Sequence, residues 1–100
     1  MTKAMVALKY RVTPENRPAF LAFLDEAFAH YEKPGGIRME LYESFDEPNT
    51  FFEIAAYAGE HEYEADQIRV EQDPETLAVL ERFKSFVDGR VDVLRVRRLR

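Results

Sequence analysis

The chain has 100 residues, of which 46% are hydrophobic and 13% aromatic, and a formal net charge of -5. That is enough for one domain with a single hydrophobic core and too apolar for intrinsic disorder. The acidic balance speaks against general nucleic-acid binding, and with no cysteine present, disulfides, thiolate catalysis and cysteine-ligated metals are excluded.

No run of about 18 apolar residues is present, so no transmembrane helix and no membrane partner is expected. The start, Met1-Thr2-Lys3-Ala4-Met5, lacks the apolar block of a signal peptide. The expectation is a cytoplasmic protein. Charge is unevenly spread: Glu60, Glu62, Glu64, Asp66, Glu71, Asp73 and Glu75 form an acidic region, and Arg95, Arg97, Arg98 and Arg100 close the chain. Four arginines on an acidic domain fit an edge strand that resists edge-to-edge pairing better than a phosphate site.

Residues 4–12 alternate. Ala4, Val6, Leu8, Tyr10 and Val12 share one face and Met5, Ala7, Lys9 and Arg11 the other, which predicts a strand. Thr13-Pro14-Glu15-Asn16-Arg17-Pro18 then opens a helix, with Pro18 favouring a start capped at Asn16. Phe20, Leu24, Ala27, Phe28 and Tyr31 make its apolar stripe, flanked by Leu21 and Phe23. Pro34-Gly35-Gly36 stops the helix and is not a nucleotide-binding loop.

Residues 36–58 predict a hairpin. With Asp46-Glu47-Pro48-Asn49 as a four-residue turn, Leu41 faces Ile54, Met39 faces Ala56 and Ile37 faces Ala58 on an apolar side. The other side then gathers Arg38, Glu40, Tyr42, Glu53 and Tyr57, with Ser44 opposite Phe51. Residues 59–72 predict a thinly apolar, acidic helix. Asp73-Pro74 caps another, whose buried stripe is Leu77, Leu80, Phe83, Phe86 and Val87, ended by Asp88-Gly89. Residues 91–99 form the last strand.

The order β-α-β-β-α(α)-β reduces to an α+β, ferredoxin-like plait with a four-stranded antiparallel sheet. Its helices should cover the face bearing Val6, Leu8, Met39, Leu41 and Ile54. The face bearing Met5, Ala7, Tyr42, Phe51 and Tyr57 would be left as an association surface for a second copy.

Within this pattern, a strand, a helix ending at Pro-Gly-Gly, a Glu-Leu-Tyr-Glu-Ser strand, a turn with Asp-Glu-Pro-Asn and a Phe-Phe-Glu-Ile strand resemble the antibiotic biosynthesis monooxygenase-like proteins of the dimeric α/β barrel superfamily. The resemblance covers nearly the whole chain, residues 1–100. It implies a homodimer of plaits packed sheet to sheet, with a ligand pocket between sheet and helices in each subunit. Members include cofactor-independent quinol and polyketide oxygenases and haem-degrading enzymes. Where many members carry tryptophan at the end of the third strand, this chain has Tyr57, and where many carry histidine on the following helix it has Asp66. The strand asparagine of the haem-degrading branch has no counterpart among Val6, Ala7, Leu8 and Lys9, so no haem and no other cofactor is expected.

Two readings of the charged face follow. In one, Arg38, Tyr42, Glu53, Tyr57 and Asp66 line a ligand pocket, with Arg38 holding an anionic or enolic oxygen and Glu53 or Tyr57 moving a proton. In the other, Arg38 is held by Glu40 or Glu53 as part of a dimer interface. The two histidines, His30 and His61, read as solvated helix residues, and no metal site is expected. Two function classes stay open. One is a cofactor-independent monooxygenase or related enzyme acting on a small aromatic or polyketide-like compound; the alternative is a non-catalytic dimer that binds a small molecule or regulates.

Overall fold

The observed elements are β1 (Ala4–Arg11), α1 (Arg17–Glu32), β2 (Ile37–Glu43), β3 (Thr50–Tyr57), α2 (Glu60–Gln72), α3 (Pro74–Phe86) and β4 (Asp92–Arg97). The structure, a computed structural model, describes residues 3–100, so the Met1-Thr2 part of the start lies outside the described residues. The four strands form one antiparallel sheet in the order β2-β3-β1-β4. This is the α+β, ferredoxin-like arrangement that the element order requires. Among the described residues no helix is long and apolar enough to cross a membrane.

The helices pack on one sheet face through a cluster of aromatic rings. Phe20 of α1 and Phe83 of α3 approach Tyr10 of β1 edge-on, with centroids 5.7 and 4.9 Å away, and Phe51 of β3 lies 5.5 Å from Phe20. Such pairs contribute roughly 0.5–1.5 kcal/mol each beyond their buried area. Pro18 sits in the first turn of α1, as the later of the two starts requires. Asp73 caps α3 by accepting from the Thr76 backbone N–H and hydroxyl, at 3.0 and 2.6 Å.

Two details of the helical stripes differ from expectation. Leu77 is 42% exposed, because Thr76, fully buried, turns inward on the same helical face as Phe83 two turns on. His30 is buried rather than solvated: it continues the Phe23–Ala27 side of α1 by one turn, and its Nε2 lies 2.7 Å from Thr76 Oγ1. Since that hydroxyl donates to Asp73, His30 Nε2 is the donor to it.

The hairpin register is shifted by one residue from expectation. Met39 faces Ala55, Leu41 faces Glu53, Ile37 faces Tyr57 and Arg38 faces Ala56. The turn is the cause. Ser44 N–H donates to Thr50 C=O, so five residues, Phe45 to Asn49, are looped out instead of four. Asn49 adopts a φ of +65°, a left-handed conformation that asparagine tolerates, while the Ser44 hydroxyl accepts from the N–H groups of Asp46 and Glu47. Arg17 fastens the turn to α1 by donating to Glu43 and to Asn49 Oδ1. A one-residue slip exchanges the faces of a whole strand. Phe51, Glu53, Ala55 and Tyr57 therefore face the helices, and Phe52, Ile54 and Ala56 face away with Met5, Ala7, Arg38, Glu40 and Tyr42.

Gly36 holds the start of the hairpin against α2. Its φ is +73°, and an added Cβ would come 2.8 Å from Glu62 Cγ, so only glycine fits without displacement.

Candidate functional site

The register places a carboxylate where a hydrocarbon would be expected. Glu53 sits in β3 between Leu8 of β1 and Leu41 of β2 and is only 5% exposed. Tyr10, two residues along β1, donates its hydroxyl to Glu53 Oε1 at 2.8 Å. Burial between leucines disfavours the charged carboxylate and pushes its pKa up to about 7, and the Tyr10 hydrogen bond only partly counteracts this. The Tyr10 phenol is itself raised well above its ordinary value, by burial first and then by the Glu53 charge, so it remains a donor.

Glu53 lines a cavity of about 210 Å³ between the sheet and the helices. Val6, Leu8, Met39 and Ala55 form its floor, and Tyr31 of α1, Val70 of α2 and Leu80 of α3 its walls. Its lining is mostly apolar and it is partly open to solvent, as small-molecule sites commonly are.

Five further polar side chains line this space: Tyr31, Tyr57, Asp66, Gln67 and Arg95. Tyr57, at the end of β3, donates to Asp66 Oδ2 of α2 at 2.6 Å, and both line the cavity. Burial, and then the bonded Asp66, raise the Tyr57 phenol, so it too stays protonated. Arg69 stands 3.5 Å from Asp66 and also donates to the His30 and Tyr31 carbonyls, tying α2 to the end of α1. Tyr31 presents its ring to the cavity; its phenol is raised by burial first and then by the charges of Glu53 and Asp66.

The five residues expected to share a site therefore separate. Glu53, Tyr57 and Asp66 meet at the cavity. Arg38 and Tyr42 lie on the opposite sheet face, where Tyr42 donates to Glu40 at 2.7 Å. Neither Glu40 nor Glu53 forms an ion pair with Arg38 among the described residues, because the slip sends Glu53 through the sheet and Tyr42 occupies Glu40. Tyr10 and Tyr31 are additions: each was legible only as an apolar stripe member, and the hydroxyl at its tip was the signal that could have marked it.

Among the described residues, no group of three or more His, Asp or Glu side chains could hold a metal ion, and His61 is exposed on α2. No histidine is among the described residues lining the cavity. The groups present can hold and move a proton in a largely apolar pocket that is partly open to solvent. They offer one carboxyl poised near neutrality and several phenols fixed as donors.

No protein-family model matches the chain, and no curated protein matches it. Solved structures do. A conserved protein from Methanosarcina mazei Go1 superposes with a TM-score of 0.79 at 16% identity, covering 96% of this chain and 92% of its own. A candidate antibiotic biosynthesis monooxygenase from Nitrosomonas europaea gives 0.78 at 15% identity, covering 97% and 90%. SnoaB, a cofactor-independent oxygenase from Streptomyces nogalater, studied as a point variant, gives 0.72 at 14% identity, covering 92% and 90%. The fold is that of the antibiotic biosynthesis monooxygenase-like structures. At these identities the likeness carries the architecture and leaves the chemistry to this chain's own residues. Within that monooxygenase-like fold, Tyr57 and Asp66, which stand where the resemblance has tryptophan and histidine, are bonded to each other beside the cavity.

Proposed function

We propose that the chain, acting as one dimeric α/β barrel domain in the cytoplasm, is a cofactor-independent monooxygenase or closely related enzyme for a small aromatic or enolic compound. The observation that carries this is Glu53: a carboxyl buried against leucines, held by one phenol, open to a cavity and poised near pH 7. A group with such a pKa is an effective base at neutral pH.

In the reaction, Glu53 removes a proton from an activated CH2 group, and the Tyr31 hydroxyl donates to the oxygen on which the resulting negative charge settles. The substrate anion reduces dioxygen directly. The CH2 group becomes C=O, one oxygen atom enters the product and the other leaves as water, so the four electrons come from the substrate alone. Tyr57 and Asp66 hold the far wall. The opposite sheet face, with Met5, Tyr42, Leu94 and Val96 exposed, supplies the homodimer contact. A stable interface needs about 1,600 Å² in total.

Oxygen uptake with a panel of small anthrones, naphthols and quinols tests this. The expected result is uptake with at least one compound that rises through pH 7 and falls by about 10²–10⁴-fold in Glu53→Gln. Saturable binding without uptake would favour the non-catalytic binding protein. An undiminished rate in Glu53→Gln would remove Glu53 from the mechanism.

A further inference from the structure

Among the described residues, one cationic side chain lines the Glu53 cavity: Arg95 of β4, which is exposed. On β4, Arg97 is paired with Glu60 of α2 at 3.1 Å, and just before the strand Arg90 is paired with Asp92. Arg95 faces the helices between them, beside Val6 on β1. Among the described residues it has no carboxylate at salt-bridge distance. It lines the Glu53 cavity, and it also lines a second, more polar recess of about 300 Å³ that includes Glu60, Tyr63 and Glu64. Arg95 thus stands at the junction between an apolar chamber and an exposed polar recess. It lies on the helix-facing side of the sheet, so a partner docked on the other face leaves it free.

An arginine in this position has a clear chemical preference. Its guanidinium is always charged and presents a planar fork of donors that matches a carboxylate. A substituent directed towards β4, on a ligand whose ring fills the chamber near Glu53, would meet Arg95. We propose that Arg95 selects a substrate bearing a carboxylate, so that the compound is a small aromatic or enolic acid rather than a neutral one. The proposal deepens the enzymatic reading of the same cavity and rests on it. A uniform demand for an anion also explains how a chamber of this size could discriminate, since apolar contact alone separates small rings poorly.

Binding, rather than turnover, tests it. The probes are 1-naphthol and 1-hydroxy-2-naphthoate, titrated by calorimetry at pH 8 into the wild type, Arg95→Met and Arg95→Lys. The wild type should bind the carboxylate at least about tenfold more tightly than the neutral parent, the scale of one charge-assisted contact. Arg95→Met should lose that preference while keeping the affinity for 1-naphthol, and Arg95→Lys should keep part of it. The naphthol affinity of Arg95→Met doubles as the check that the cavity is intact. Equal binding of both probes by the wild type, a preference unchanged in Arg95→Met, or no binding of either probe would overturn the proposal. Because no oxygen uptake is read, a failed enzymatic reading shows separately, as carboxylate-selective binding with no turnover of any compound.

Discussion

Glu53→Gln should make the protein more stable at high pH and nearly neutral in effect at low pH. The wild-type carboxyl has a folded-state pKa of about 7 against an ordinary 4.5, so the folded state holds a proton that the unfolded state releases. Its contribution is fully present below pH 4.5 and is lost as the pH rises through about 7. At about 1.4 kcal/mol per pH unit, the gap between the two values corresponds to roughly 3 kcal/mol. Glutamine keeps the shape and can still accept from Tyr10, but it cannot ionise between Leu8 and Leu41. Urea unfolding of both proteins at pH 5 and pH 8.5 measures this. The wild type should lose most of that amount between the two values and the variant much less, so that the variant is the more stable at pH 8.5. A Glu53→Gln protein destabilised equally at both values would contradict this, since it would mean that the carboxylate is comfortable where it lies.

Tyr10→Phe should move the rise of activity to a pH above 7, because the phenol favours the charged form of Glu53 and its loss raises the carboxyl further; a pH–rate profile checks this. Thr76→Val should destabilise by roughly 1–3 kcal/mol in urea, since it strands buried His30 Nε2 without a partner. In the proposed dimer, Leu94→Asp places a charge on the exposed apolar sheet face, so the wild type should sediment as a dimer at micromolar concentration and the variant as single chains.

The element order, both proline-marked helix starts and the antiparallel plait were legible because each rests on local signals: alternation, stripe spacing and capping chemistry. The site was half legible. Glu53 and Tyr57 could be named from their chain position, but their face could not, because it depends on whether the turn holds four residues or five. Both counts leave a plausible pattern, and hydropathy alone prefers Ile54 inside to Glu53. The other outcome, set by the turn, also lets Tyr10, 43 positions away, meet Glu53 across β1 and β3. That contact exists only once the strands are paired. His30 was misplaced for a similar reason: its hydroxyl partner, Thr76, belongs to another helix.

One carboxyl in this protein should be poised for proton transfer in the cavity, and carbon-13 NMR of the glutamate side-chain carboxyls reports it directly. Titration from pH 4 to pH 9 should show one resonance with a midpoint near 7 that is absent from Glu53→Gln. If every carboxyl instead titrates below pH 5.5, Glu53 is ionised throughout the neutral range and the proton-transfer account of the cavity is contradicted.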